Sequence, residues 1–325
     1  MSDKPKVAIY WLTTCAGCDE TIVDLNETIL QVADAVDIVL WPIALDFKYE
    51  NIRAMKKGEI VLSIIHGSVR NSEHEEMAKL LRAKSQLVLA FGACACFGGT
   101  AGLANFRGKE DIFNWVYRDA PTVVNPKNNI PLPVSTVNGH KLTLPEFYDR
   151  VYKLDDIIDV DYYLPGCPPP PDLVAQAVFA VVEGNLPPRG STLAPRKPLC
   201  DTCPRNSSKP LKMQIGAVKR IHEFEADPEK CFLAQGVLCL GPATRSGCGE
   251  TCVRINMPCR GCFGPVEGVR DAGTKFISGL AALLGAESED ESLKSIEGIS
   301  DLAGYCYRFS LPSVSLKKKE REKSR

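Results

Sequence analysis

Twelve of the fourteen cysteines in this chain fall into three sets of four, and this distribution limits the possible folds more than any other feature. Each set contains one Cys-x-x-Cys turn. The first set is Cys15, Cys18, Cys94 and Cys167; the second is Cys200, Cys203, Cys231 and Cys239; the third is Cys248, Cys252, Cys259 and Cys262. Four thiolates suit a tetrahedral zinc ion or an iron–sulfur cubane. Three such sites in one chain indicate a row of redox centres, so electron transfer is the leading hypothesis.

The composition is that of an ordinary globular protein. At 325 residues the chain is long enough for two domains of roughly 100–200 residues each. A net charge of −1 gives no indication of a basic surface that binds nucleic acid. No apolar run approaches the roughly 20 residues that cross a bilayer. The polar segment Met1–Lys6 resembles no export signal, so we expect a cytoplasmic location. That reducing compartment disfavours disulfides and favours metal or cluster ligation.

Residues 1–187 have the alternating pattern of an α/β domain. Short apolar runs predict strands at Val7–Leu12, Asp37–Trp41, Glu59–Ile65, Gln86–Phe91 and Asp159–Leu164. Helical spacing predicts a helix from about Thr21, one with a capping box at Ser72 and Glu75, and one at Asp172–Val182. The alternation predicts a doubly wound, mostly parallel sheet with helices on both faces. The irregular stretch Leu103–Ile158 is interpreted as an arm inserted over the end of the sheet.

The composition changes near Pro187, and residues 188–312 are predicted to form a second, small and irregular domain. Glycine, proline and cysteine are dense there, and such a segment cannot build a normal core alone. Bound clusters would supply the missing folding energy. The segment Gly268–Gly285 predicts one apolar helix, Glu287–Glu291 an acidic linker, and residues 313–325 a charged, solvated tail.

Each cysteine segment of the first set directly follows a predicted strand. Cys15 and Cys18 follow the first strand, Cys94 the fourth and Cys167 the fifth. Ligands of open α/β sheets bind beyond the carboxyl ends of the strands, so the four thiols can converge there. The alternative is that Cys94 and Cys167 are buried structural thiols, a common role of free cysteine. Their equivalent positions at strand ends favour ligation.

The second and third sets leave more than one interpretation open. Cys239 and Cys248 are only nine residues apart, so they can exchange places between the two sets. On spacing alone, a pair of Cys₄ zinc ribbons competes with two cubanes, and the chain would then be a zinc-binding scaffold or adaptor. The first set favours clusters, because zinc sites commonly use local knuckles rather than three distant loops of a sheet.

Five separated motifs resemble those of the [NiFe] hydrogenase small subunit, in that family's order and over about residues 6–265. They are Cys15-Ala-Gly-Cys18-Asp-Glu20, Gly92-Ala-Cys94-Ala-Cys96-Phe-Gly-Gly99, Gly166-Cys167-Pro-Pro169, the run from Cys239 to Cys248, and Pro258-Cys259-Arg-Gly-Cys262. The resemblance implies a flavodoxin-like domain with a proximal [4Fe–4S] cluster on the first set. It also implies a C-terminal domain with a distal [4Fe–4S] cluster on the second set and a medial one on Cys248, Cys259 and Cys262.

Two departures refine the resemblance. Exported members of the family have histidine at the Cys200 position and proline near Cys252, whereas cysteine at both resembles an all-cubane, low-potential chain. The nearest similarity is to the cytoplasmic F420-non-reducing (methyl-viologen-reducing) type that feeds heterodisulfide reductase in methanogens and relatives. Small subunits of F420-reducing or NAD(P)-linked hydrogenases are the alternatives. The quinone-reducing complex I subunit, which shares the N-terminal fold, fits poorly because it lacks the C-terminal cluster domain.

The resemblance also implies partners. Hydrogen would be split at nickel in a separate large subunit, and electrons would leave to a further acceptor subunit, with a [2Fe–2S] protein and heterodisulfide reductase as candidates. No nickel, flavin or nucleotide site is expected on this chain, since no G-x-G-x-x-G or Walker pattern follows a strand. We expect no nucleic-acid partner and no membrane span.

Several single residues have two interpretations each. The resemblance suggests that Glu20 relays a proton, whereas its place after the first Cys-x-x-Cys also suits a carboxylate that stabilises a helix N-terminus. Cys96 can replace Cys94 as a ligand, although the Gly-x-Cys register favours Cys94. Cys306 has no cysteine neighbour and is predicted to be buried packing. The four histidines, His66, His74, His140 and His222, lie outside any ligand spacing and are expected at the surface or in satisfied core positions.

Overall fold

A computed structural model describes residues 4–285 and 288–314 of the chain. Its centre is a five-stranded parallel sheet. The strands are β1 (Lys6–Trp11), β2 (Asp37–Leu40), β3 (Ile60–His66), β5 (Ser85–Phe91) and β9 (Tyr162–Leu164). They lie in the order β2-β1-β3-β5-β9. This is the flavodoxin-like order of a doubly wound sheet, as the sequence predicted.

Helices cover both faces of the sheet, because its central strands are apolar on both sides. The helices are α1 (Gly17–Val23), α2 (Thr28–Ala35), α3 (Tyr49–Ala54), α4 (Ser72–Lys84), α5 (Gly92–Phe97) and α7 (Pro171–Val182). One core contains Ile52 of α3 and Leu81 of α4, and the other contains Ile22 of α1, Val32 of α2 and Val178 of α7. The sheet is therefore supported by apolar packing on each side.

The carboxyl ends of four strands lie at one level. In the paired register Trp11 is opposite His66, His66 is opposite Phe91, and Phe91 is opposite Leu164. The loops that carry the first set of cysteines therefore leave the sheet at a single edge.

The predicted inserted arm has more regular structure than its sequence suggested. It contains α6 (Lys109–Asn114), the hairpin β6 (Val134–Val137) with β7 (His140–Thr143), and β8 (Phe147–Tyr152). Strand β8 pairs antiparallel with β4 (Val69–Asn71), which continues from the end of β3. This pairing ties the arm to the edge of the sheet that carries the cysteine loops.

Beyond residue 188, the described part of the chain has four helices among 3₁₀ turns and loops. They are α8 (Thr251–Arg254), α9 (Ala272–Leu284), α10 (Glu289–Ile296) and α11 (Leu302–Cys306). Two small apolar clusters hold this region, one around Leu240 and Phe276 and the other around Leu199 and Phe232. The segment then returns to the sheet, where the backbone N–H of Gly99 donates to the carbonyl oxygen of Phe309 at 3.1 Å.

Several predicted boundaries were wrong. The helix expected from about Thr21 is two helices, because Asn26 between them has a positive φ of 51°. The cap of α4 is Asn71 rather than Ser72: the Asn71 side chain accepts a hydrogen bond from the His74 backbone at 2.8 Å. Of the acidic linker expected at Glu287–Glu291, Glu287 lies outside the described residues, and the rest is the cap and the first residues of α10. The cap is Ser288, whose hydroxyl accepts a hydrogen bond from the Glu291 backbone.

The apolar helix predicted at Gly268–Gly285 is α9, which begins only at Ala272, after its cap Asp271. Of the charged tail predicted at residues 313–325, the part from residue 315 onward lies outside the described residues. None of the helices in the described ranges is both long and apolar enough to cross a membrane.

Candidate iron–sulfur sites

The first set of cysteines converges at the carboxyl edge of the sheet. Cys15 and Cys18 lie on the turn into α1, Cys94 lies in α5 directly after β5, and Cys167 follows β9. Burial is the main cause that raises the pKa of the Cys18 thiol, and the other three thiolates of the set raise that pKa further. Cys15 and Cys167 are exposed, so this group of thiols opens onto the surface.

Two glycines let the backbone approach these sulfurs. A Cβ atom at Gly92 would lie 2.5 Å from the Cys18 sulfur, and one at Gly99 would overlap the Cys94 sulfur. Both residues have positive φ, 80° and 61°, which other residues rarely adopt. The loop around the thiols therefore requires glycine at these two positions.

Cys94 and Cys96 have different surroundings, although they are two residues apart. The Cys94 thiol lies close enough to Cys167 and Cys15 that their thiolates add to the effect of burial, which raises the Cys94 pKa to about 12. The Cys96 thiol turns into the core and donates to the carbonyl oxygen of Ala90 at 3.3 Å. The geometry thus favours Cys94 as the member of the first set.

A buried polar group behind the first set was missed in the sequence. His66, fully buried at the end of β3, has its Nε2 atom 3.1 Å from Oδ1 of Asp19. The same Asp19 oxygen accepts from the Trp41 indole at 2.9 Å. Residue spacing predicts only a surface or satisfied-core role for this histidine, because the strand register that brings it beside the cysteine loops is not contained in that spacing.

Glu20 lies in the first turn of α1, next to the first set, and is exposed. Its position fits both interpretations, the proton relay and the carboxylate at a helix N-terminus. Four large apolar side chains at the same edge of the sheet are also exposed; they are Trp11, Ile43, Leu45 and Phe47. Such a patch beside open thiols is typical of a surface that another protein covers.

The second set surrounds one pocket. Its wall contains the sulfur-bearing residues Cys200, Cys203, Cys231 and Cys239, together with apolar residues such as Phe232. Burial raises the pKa of Cys200 to about 12 and that of Cys239 to about 11. The backbone N–H groups of Gly241 and Cys259 donate to the Cys239 sulfur and oppose that rise. Cys239 therefore lies with the second set rather than exchanging with Cys248.

The third set lies between the other two. Burial, and after it the thiolates of Cys167, Cys248 and Cys252, raise the pKa of Cys262 to about 12. The Cys262 sulfur therefore lies near Cys167 of the first set as well as near Cys248 and Cys252 of its own set. At the other end, the backbone N–H of Cys259 donates to the Cys239 sulfur of the second set at 3.4 Å.

The three sets thus form one continuous row: first, third, second. At the first junction Cys262 lies near Cys167, and at the second the backbone N–H of Cys259 donates to the Cys239 sulfur. A buried carboxylate also lies at the junction of the last two sets: the hydroxyl of Thr202 donates to Oε1 of Glu250 at 2.5 Å.

The donor chemistry of each set fits an iron–sulfur cluster. Burial raises the pKa of thiols in every set, among them Cys18, Cys200 and Cys262, and ligation to iron would supply the positive charge that stabilises their thiolates. Backbone N–H groups that point at the sulfurs are the donors that stabilise thiolate and sulfide charge. As they stand within residues 4–285 and 288–314, no three His, Cys, Asp or Glu side chains are close enough to bind one metal ion.

Two remaining cysteine and histidine predictions have clear outcomes. Cys306 is buried in the apolar cluster around Leu240 and Phe276, so the prediction of buried packing is confirmed. His74 is partly buried, with Nδ1 3.3 Å from the Thr13 hydroxyl, whereas His140 and His222 are exposed.

Comparison with known proteins defines the family. The model of the family described as "NADH ubiquinone oxidoreductase, 20 Kd subunit" matches residues 15–181. The iron-sulfur subunit of the F420-non-reducing hydrogenase of Archaeoglobus profundus is 43% identical over 317 residues, which are 97% of this chain and 98% of that relative. The corresponding subunit of the F420-non-reducing hydrogenase of Methanothermobacter thermautotrophicus is 35% identical over 97% of this chain and 96% of its own length.

Solved structures agree with the fold. The [NiFeSe] hydrogenase of Desulfovibrio vulgaris Hildenborough has a chain that aligns with a TM-score of 0.50 and 19% identity, over 82% of this chain and 96% of that one. Together, the sheet, the cysteine motifs and the relatives define the class: a small subunit of a [NiFe] hydrogenase, and hence a subunit of an oxidoreductase. Within that class, the chain belongs to the family of iron-sulfur subunits of F420-non-reducing hydrogenases.

Proposed function

We propose that this chain relays electrons through three [4Fe–4S] clusters in a [NiFe] hydrogenase. The proximal cluster would be bound by Cys15, Cys18, Cys94 and Cys167, the medial one by Cys248, Cys252, Cys259 and Cys262, and the distal one by Cys200, Cys203, Cys231 and Cys239. The observation that carries this proposal is the continuous row of the three sets, in which Cys262 lies near Cys167 and the Cys259 backbone donates to the Cys239 sulfur.

When bound, the clusters would supply one-electron redox chemistry. The chain's own residues hold the thiols in place, exclude water and orient N–H donors toward sulfur. The Thr100 backbone donates to the Cys94 sulfur, and the Gly261 backbone donates to the Cys259 sulfur. Donors of this kind stabilise the reduced state and raise the reduction potential of a cluster.

The proximal set faces the surface on which we propose that the large subunit docks. Cys15 and Cys167 are exposed there, beside the apolar side chains of Trp11, Ile43 and Phe47. Covering this patch would bury the proximal cluster and bring it near the nickel of the partner. At the other end of the row a further subunit would accept the electrons, with a [2Fe–2S] protein and heterodisulfide reductase as candidates.

The proposal keeps the predicted division of the chain into residues 1–187, residues 188–312 and a tail at residues 313–325, together with a cytoplasmic location. The second candidate function is the zinc-binding scaffold, which the N–H donors at buried sulfurs also fit chemically.

Anaerobic purification with co-purifying subunits, followed by metal and sulfide analysis, tests the proposal. We expect about twelve iron atoms per chain with an equal amount of labile sulfide, and low-temperature EPR signals of interacting reduced clusters. A zinc scaffold would instead contain about two or three zinc ions and no sulfide. Native material with that second composition would overturn the proposal.

A further inference from the structure

A basic pocket lies beside the junction of the second and third sets. Its volume is about 320 Å³, and its wall includes Leu238 and Pro258, the residues directly before Cys239 and Cys259. Each of these two wall residues is thus the immediate chain neighbour of a thiol. The pocket is open to solvent, since several of its lining side chains are exposed.

The charge of this pocket is strongly one-sided. Of the described residues that line it, five are basic and one is acidic; the basic ones are Lys219, Arg220, His222, Arg260 and Arg308. The one acidic residue, Asp301, is the N-terminal cap of α11: its Oδ1 atom accepts a hydrogen bond from the Gly304 backbone at 2.8 Å. The lysine and the three arginines are cations at neutral pH, and since the whole chain has a net charge of only −1, this concentration of positive charge is a local feature. Such a pocket attracts negative groups.

The walls of the pocket are held by contacts within the fold. The Lys219 backbone donates to the carbonyl oxygen of Gly236 at 2.9 Å, and the Arg220 Nε atom donates to that of Gly298 at 3.1 Å. The Arg260 guanidinium lies 4.6 Å from the centre of the Tyr305 ring, and the Tyr305 hydroxyl donates to the carbonyl oxygen of Leu238. The side chains of Arg220 and Arg260 are thus positioned before any partner arrives, which reduces the entropy lost on binding.

We propose that this pocket receives an acidic segment of the protein that accepts electrons from the chain. The inference rests on the proposed function, because it assigns the exit of the row to the face beside Cys239. Charge complementarity selects the occupant: carboxylates of the partner pair with the pocket and bring its redox centre near the distal set. Electrostatic pairing of this kind speeds encounter and fixes orientation, and it weakens as salt rises.

The test uses the anaerobically purified hydrogenase complex and two electron acceptors under hydrogen. The protein probe is an acidic [2Fe–2S] ferredoxin, and the small probe is methyl viologen, which is a cation and needs no acidic docking segment. The test variant is Lys219→Glu with Arg308→Glu. The matched control, Lys56→Glu with Lys57→Glu, makes the same charge change at exposed positions before β3, at the opposite edge of the sheet.

We expect the KM for ferredoxin to rise about tenfold in the pocket variant and to lose most of its dependence on salt. The control should keep the wild-type ratio of ferredoxin reduction to methyl-viologen reduction. Lys219→Gln with Arg308→Gln should give an intermediate KM, which separates a charge effect from misfolding. An unchanged KM, or an equal rise in the control, would overturn the docking proposal.

Two competitors identify the occupant. Polyglutamate should inhibit ferredoxin reduction by the wild type and not by the pocket variant. Inhibition by inorganic phosphate without inhibition by polyglutamate would assign the pocket to a small anion and overturn the proposal. A complex that contains iron and sulfide and reduces methyl viologen, but shows no pocket effect, refutes only this inference. A complex without clusters refutes the proposed function itself.

Discussion

The sheet region and the C-terminal region hold their cysteines in different ways. In the sheet region, the first set stands on loops above a parallel sheet that has an apolar core on both faces. In the C-terminal region, the second and third sets lie within the small clusters themselves, where Cys259 is a buried neighbour of Leu199 and Phe232. The thiols therefore stand on a finished fold in one region and are part of the core in the other.

This difference implies different roles for iron in stability. The sheet buries large apolar side chains, and such burial supplies most of the stability of a domain. The C-terminal region has few long elements, so under the proposed function ligation there would contribute folding free energy, as it does in small metal-bound domains. Removing iron should consequently affect the two regions unequally.

The largest expected effect is that of withholding iron. In chain produced without iron, we expect the amides of β3 and β5 to keep their protection from hydrogen exchange within about threefold. Amides between residues 231 and 262 should lose protection by about 100-fold or more, because the cysteine thiols of this segment then have no iron to bind. Exchange mass spectrometry of both forms measures this contrast, and equal loss in the two regions would show that the comparison is mistaken.

The same substitution in each region sharpens the contrast. Cys94→Ser should remove about four iron atoms per chain and leave the sheet folded. Cys239→Ser should remove about eight iron atoms per chain, because the Cys239 sulfur also accepts a hydrogen bond from the backbone N–H of Cys259 in the neighbouring set. Iron analysis and exchange of the same samples measure both results. Cys96→Ser is the control, and it should retain all the iron, since that thiol faces Ala90.

A smaller effect is expected at the carboxylate between the two C-terminal sets. Glu250 is buried, and its negative charge raises the pKa of both Cys203 and Cys248, after the larger effect of burial. Glu250→Gln should therefore raise the reduction potentials of the medial and distal clusters by tens of millivolts and leave the proximal one unchanged. Potentiometric EPR measures each cluster. Glu229→Gln, at an exposed position, should shift none of them.

The smallest effect concerns the sheet region and pH. Burial lowers the pKa of His74 below its ordinary value of 6.5, and the nearby Glu73 only partly opposes this. The folded state thus binds fewer protons than the unfolded state as pH falls. The contribution of His74 to stability is present above the unfolded pKa and is lost as pH falls toward the folded pKa.

Between about pH 7.5 and 6, the wild type should lose more thermal stability than His74→Gln. His140→Gln, at an exposed position in the arm, should behave like the wild type. An identical loss in all three proteins would show that this histidine is not the group responsible.

The sequence predicted the sheet well, for a physical reason. Buried parallel strands are continuous apolar runs, which are easy to recognise in a sequence. The predicted strand Val7–Leu12 differs from β1 by one residue at each end, and Gln86–Phe91 differs from β5 by one residue at its start. The convergence of the first set followed, because cysteines placed after parallel strands must meet at one edge. The ligand assignments themselves remain predictions until metal is measured.

Other features could not be predicted from local pattern. The pairing of β8 with β4 and the exposed hairpin β6–β7 depend on contacts distant in sequence, and neither has a strong apolar period. The place of His66 beside Asp19 likewise depends on strand register, which single-residue spacing does not contain. The junction between the second and third sets is a backbone hydrogen bond, so no side-chain type in the sequence indicates it.

Gly92 and Gly99 have a consequence for anyone who wishes to re-engineer this protein. Any side chain at either position collides with a sulfur, so a randomised library of the loop should return glycine at both codons in nearly every active clone. Directed evolution around the first set must then proceed through other positions, such as Glu20, whose side chain is exposed in this chain.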